Sequence, residues 1–114
     1  MKHSLYIIIG VALLLLVSCG KRQQAKSVVK DFMEQSLHKE VAYVDFSDID
    51  STHAISDSLL QALRLRGPKD VQYMERNGNT LFYIRAKYVE GQDTCSTTFY
   101  LDKEVAGVIA FKEN

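Results

Sequence analysis

From Val71 to the C-terminus the apolar residues recur at every second position, and this period limits the folds open to the chain more than any other feature. Four alternating runs, Val71 to Glu75, Thr80 to Val89, Thr94 to Leu101 and Val105 to Phe111, are separated by Asn77-Gly78, Gly91-Gln92 and Lys103-Glu104. Turn-forming pairs between alternating runs predict an antiparallel meander of four strands. With two-residue turns, Tyr73 faces Phe82, Val71 faces Ile84, Tyr88 faces Cys95 and Ile84 faces Phe99. One face then carries Val71, Tyr73, Phe82, Ile84, Ala86, Tyr88, Cys95, Phe99 and Leu101, which is apolar enough to receive a helix. The other carries Gln72, Met74, Leu81, Tyr83, Arg85, Lys87, Ser96, Thr98 and Tyr100, an amphipathic surface expected to be at least half wet. The last run is apolar at both parities, so its register stays open.

Upstream the period lengthens. Ala25, Val28, Val29, Phe32, Met33 and Leu37 mark one face of an amphipathic helix of about four turns, with Lys26, Lys30, Asp31 and Glu34 on the other. Val41 to Phe46 reads as an edge strand or an extended connection, and Ser47 to His53 as a polar, turn-prone segment. A second helix is expected over Asp57 to Arg66. Ser56 caps its free amides, Asp57 suits the positive end of its dipole, Ile55 staples onto Leu60, and Gly67-Pro68 stops it. Its leucines, Leu59, Leu60, Leu63 and Leu65, all call for burial. The fold class is α+β, with two helices packed on a four-stranded antiparallel meander.

The first 18 residues belong to a different object. Lys2 and His3 precede Leu5 to Val17, thirteen positions without a charge, followed by Ser18, Cys19 and Gly20. As a helix that run is about 20 Å long, short of the roughly 30 Å hydrocarbon core, so an export signal is favoured over a membrane span. The tetrad Leu16-Val17-Ser18-Cys19 resembles the lipobox of bacterial lipoproteins. The resemblance implies cleavage before Cys19 and its acylation by diacylglyceryl and palmitate-type chains, which makes a durable anchor. An uncleaved signal anchor, or a signal peptide in which Cys19 is incidental, is the alternative. The expected organisation is a signal peptide over 1–18, a lipidated polar tether over 19–24 and one α+β domain over 25–114. There is no aspartate after Cys19 like the inner-membrane retention signal, and no acidic run like the surface-export signal of lipoproteins of the Bacteroides group. The periplasmic face of the outer membrane is therefore the expected location.

The layout of the mature part, helix, crossing segment, helix and meander, resembles the cystatin-like or nuclear-transport-factor-like domains of small bacterial lipoproteins, the Bacteroides group among them. Such domains set a sheet against a helix, the larger ones with a pocket between, and they are seldom enzymes. The Gln-x-Val-x-Gly loop of cystatin inhibitors is absent from the turns of this sequence.

Few residues suggest chemistry. With Cys19 acylated, Cys95 has no disulfide partner and reads as a small hydrophobe rather than a nucleophile served by His38 or His53. Asp45, Asp48, Asp50, His53 and Asp57 are closely spaced, but the acids lack the glycine and closing glutamate of a calcium loop, and one histidine is too few for zinc. They read as a solvated loop and a helix cap. No metal, cofactor or catalytic residue is expected. Removing Lys2 with the leader leaves 13 basic against 14 acidic residues, a net charge of −1, which provides no field for nucleic acid. The mixture of Tyr83, Arg85, Lys87 and Tyr100 on the outer sheet face is that of a protein interface, unless the second helix covers it. A non-enzymatic envelope lipoprotein acting by protein or ligand binding is expected, and the alternative is a small-molecule-binding or catalytic pocket between sheet and helices.

Overall fold

The computed structural model describes residues 20–114, so the expected signal peptide and the expected lipidation site Cys19 lie outside the described residues. Residues 20–31 are α-helical and continue into a π-helical turn over Phe32–Ser36; together they form α1. The helix ends where His38 adopts a left-handed conformation (φ 54°) and Lys39 N–H donates to the Met33 carbonyl at 2.9 Å. Residues 20–24, expected as a polar tether, are instead the opening of this helix. No helix among the described residues is long and apolar enough to cross a membrane.

After α1 come β1 (Ala42–Phe46), β2 (Asp50–Thr52), α2 (Asp57–Arg66), β3 (Leu81–Glu90), β4 (Asp93–Leu101) and β5 (Val108–Glu113). The class is α+β as expected, but the antiparallel sheet has five strands, in the order β1-β3-β4-β5 with β2 also paired to β3. Val41 to Phe46 takes its edge-strand option. The β3–β4 hairpin matches its expected register, Tyr88 opposite Cys95 and Ile84 opposite Phe99, around a turn at Gly91 with φ 64° that glycine accommodates without strain.

The expected first strand of the meander does not form. Phe82 lies between Ser51 and Leu101, so the place assigned to Tyr73 belongs to β2. Val71 to Glu75 is an extended loop held by side chains. Arg64 donates to the Ile109 and Met74 carbonyls at 2.8 and 2.9 Å, and Arg76 donates to those of Ile55, Gly78 and Asn79 while pairing with Asp57 at 3.2 Å. Only the Met74 amide reaches a strand, donating to the Val108 carbonyl at 2.9 Å. Burial still follows the sequence pattern, because Val71 and Tyr73 join the main core from the loop, with the Tyr73 ring 5.9 Å from that of Phe32.

That core fills the space between α1 and the sheet. Ala25, Val29, Phe32 and Met33 pack on Ile84, Ala86, Tyr88, Phe99, Leu101 and Phe111. A smaller cluster on the other face joins Leu60 and Leu63 of α2 to Leu81, Ile109 and Ala110. The sheet is thus a middle layer with one helix on each side. The α2 boundaries and the Ser56 cap, which accepts from Leu59 N–H at 3.2 Å, are as expected. Leu59 and Leu65 depart from expectation at 42% and 85% exposed, because a helix on one sheet face buries a single stripe.

The turn before β5 is longer than Lys103-Glu104. One carboxylate oxygen of buried Asp102 accepts from the Ala106 and Gly107 amides at 2.7 and 3.0 Å, and Val105 is driven to φ 55°. β5 therefore starts at Val108, and a bulge between Tyr100 and Leu101 lets Ile109 and Ala110 share one cluster while Val108 and Phe111 join the other. The open register of the last run is settled by this loop.

Candidate functional site

The outer sheet face is divided between α2 and solvent. Leu81, Ile109 and Ala110 lie under α2, with Tyr100 half-buried against them. Beyond that contact the face is a ladder of three rows. Tyr83 stands opposite Tyr100, Arg85 opposite Thr98 and then Lys112, and Lys87 opposite Ser96. The four residues expected at an interface, Tyr83, Arg85, Lys87 and Tyr100, are thus brought onto one surface. The two tyrosine rings are tilted with centroids 6.4 Å apart, and both are half-buried, whereas Arg85 and Lys87 are exposed.

Local hydrogen bonds order this surface. Ser47 bridges the gap between β1 and β2, because its amide donates to the Arg85 carbonyl at 2.9 Å and its hydroxyl accepts from the Arg85 amide at 2.8 Å. Thr98, 7% exposed, donates to Asn114 Oδ1 at 3.3 Å, and the Asn114 amide bonds Ser96 in return. The Tyr83 hydroxyl donates to Asp50 at 3.4 Å. Together with Asp48, Ile49, Ile55, Tyr100 and Lys112, all of these but Ser96 line an open groove of about 610 Å³.

Lys112 is the functional candidate that sequence reasoning missed. Its parity depended on a loop of unknown length, and only the Asp102–Gly107 geometry puts it beside Thr98.

A larger concavity of about 760 Å³ lies at the start of α2, but its arginines, Arg64 and Arg76, are committed to backbone carbonyls and Asp57. The acidic segment is spread out: Asp57 pairs with Arg76, His53 meets Thr80 at 3.1 Å, and Asp45 accepts from the neighbouring Phe46 amide. Among the described residues no three His, Cys, Asp or Glu side chains converge to hold a metal. Cys95 is half-buried against the main core, as its inward parity implied. Between sheet and α1 the volume is taken by Met33, Ile84, Phe99 and Leu101, all fully buried.

Three tyrosines have hydroxyls pushed above the ordinary value of 10.0 by burial: Tyr43, Tyr73 and Tyr88. Glu34 and Tyr88 reinforce the effect at Tyr43, while at Tyr88 a 2.8 Å hydrogen bond with Thr97 opposes it. All three belong to or pack on the main core, away from the outer face.

The arrangement defines a class: an α+β protein whose sheet presents an aromatic and cationic ladder beside a covering helix. Comparison with known proteins adds no closer assignment, since the chain matches no family model, no curated protein and no solved structure.

Proposed function

We propose that this chain is a lipoprotein of the bacterial cell envelope, anchored through acylated Cys19 on the periplasmic face of the outer membrane, and that it acts without catalysis by binding a protein on its outer sheet face. The lipobox Leu16-Val17-Ser18-Cys19 supports the anchor. One observation carries the binding role: half-buried Tyr83 and Tyr100 stand beside exposed Arg85 in a groove that α2 leaves open, with exposed Lys87 one row further along the same face. Aromatic anchors bordered by arginine are the composition of protein-binding hot spots. The packing of α1 across one face of the antiparallel sheet is in keeping with a cystatin-like or nuclear-transport-factor-like domain, to which α2 on the opposite face is an addition. The alternative of a ligand pocket between sheet and helices draws no support on the α1 side, where the space is filled by side chains.

Two substitutions test the two halves separately. Cys19→Ser is expected to leave uncleaved precursor and to remove the mature form from the membrane fraction; normal processing would refute the anchor. The triple variant Tyr83→Ala, Arg85→Ala, Tyr100→Ala is expected to process normally and lose its envelope partner, and undiminished association would refute the binding face.

A further inference from the structure

The ladder on the outer face also indicates what kind of partner it fits, an inference that rests on reading this face as a protein interface. Arg85 and Lys112 flank Thr98 on neighbouring strands, so their Cβ atoms are about 10 Å apart at ordinary strand spacing. Lys87 lies one row away, opposite Ser96. None of these three cations takes part in an ion pair among the described residues, whose ion pairs involve Arg22, Lys39 and Arg76. The acids of the neighbouring edge are otherwise engaged. Asp45 accepts from the Phe46 amide, Asp48 is 4.0 Å from Arg22, and Asp50 accepts from the Ser51 amide and the Tyr83 hydroxyl. Charge is thus only partly separated: Lys87 stands directly opposite Asp45 of β1, and Asp48 and Asp50 share the groove, which leaves Arg85 and Lys112, flanking Thr98, as the cations with no carboxylate opposite them in the strand register.

We propose that this strip binds an acidic segment of the partner in extended conformation, with carboxylates over Arg85 and Lys112 and an apolar side chain on the Tyr83–Tyr100 pair. In an extended peptide, side chains on one face repeat every 6.6 Å or so, and flexible acidic side chains at alternate positions reach both cations. Arg85 offers a carboxylate two parallel N–H donors, while Lys112 contributes a mobile point charge. Ile49 and Ile55 line the groove together with the tyrosines, and such a concave surface suits a narrow chain better than a flat bilayer. A domain of net charge −1 also has no general attraction for anions, so recognition depends on this local strip.

The test uses the full chain in detergent micelles and an end-blocked peptide Glu-Ser-Glu-Ser-Val, whose glutamates and valine share one face when extended, followed by NMR amide shifts. Saturable shifts are expected at Arg85, Thr98 and Lys112, weakened about tenfold or more by Arg85→Gln with Lys112→Gln, and by salt near 1 M, where the screening length is about 3 Å. The variant's unshifted remaining spectrum serves as the folding control. Equal binding of the counterpart peptide with glutamine in place of glutamate, or no effect of the double substitution, overturns the proposal. Cross-linking from position 100 in native membranes separates the two readings. Adducts that form equally well with the double variant keep the interface and refute the acidic partner. Adducts lost with the two cations support it, and the absence of any adduct removes the interface and this inference together.

Discussion

Arg22 Nη2 donates to the carbonyl oxygen of Phe46 at 2.8 Å, tying the first turn of α1 to the end of β1. Gln24 repeats the tie on the other side, donating to the Val105 carbonyl at 2.9 Å, and the Lys21 ammonium sits 4.9 Å above the Phe82 ring. Three residues of chain reach at most about 11 Å, so the acyl group proposed on Cys19 would keep the domain close to the bilayer.

Replacing Arg22 with alanine removes a hydrogen bond from a charged donor to a carbonyl, and partial exposure limits the loss to about 1 kcal/mol. Hydrogen exchange is expected to show the effect locally, with protection lost over residues 20–25 and retained in β3 and β4.

His38 and Val105 share a left-handed backbone but respond in opposite directions to glycine. His38 is exposed at φ 54°, so His38→Gly relieves strain and loses little, and a gain of about 0.5–1 kcal/mol is expected in urea unfolding. Val105 is 1% exposed at φ 55°. Its buried side chain contributes about as much as the strain costs, and the added freedom of the unfolded chain makes Val105→Gly net destabilising.

Asp102 holds that strained loop. Asp102→Ala leaves the Ala106 and Gly107 amides without their acceptor and is expected to cost about 1–3 kcal/mol, whereas Asp102→Asn retains the oxygen and most of the stability. Equal losses for the two variants would contradict this assignment.

Alkaline pH is expected to unfold the protein through its buried tyrosines. Tyr43, Tyr73 and Tyr88 hold their protons more tightly folded than unfolded, so their contribution is fully present below pH 10.0 and is lost as pH rises through the raised values. The urea midpoint should fall above that pH, together with delayed tyrosinate absorbance. Tyr73→Phe is expected to be nearly neutral at pH 7 and to blunt the alkaline loss, since its buried hydroxyl has no partner among the described residues.

The parts legible from sequence are those whose signals are local. Ser56, Asp57 and Gly67-Pro68 bracket α2, and Gly91 between two alternating runs sets the β3–β4 register. Alternation also put all nine inward residues in the right core, including Val71 and Tyr73, although those two arrive on a loop. What sequence could not reveal is competition. Val71 to Glu75 alternates as a strand does, but its place beside β3 goes to β2, a polar segment some thirty residues from its partner. Tyr83, Arg85, Lys87 and Tyr100 came together because parity alone dictates a shared face. Lys112 required the geometry of a loop fastened by one aspartate.

The central claim is that the outer face meets a protein in the envelope, and site-directed photo-cross-linking in native membranes tests it most directly. A photoreactive residue at position 83 should yield a discrete adduct with an envelope protein, while one at Leu65, 85% exposed on α2, should not. No adduct at position 83, or the same adducts from both positions, would contradict the account.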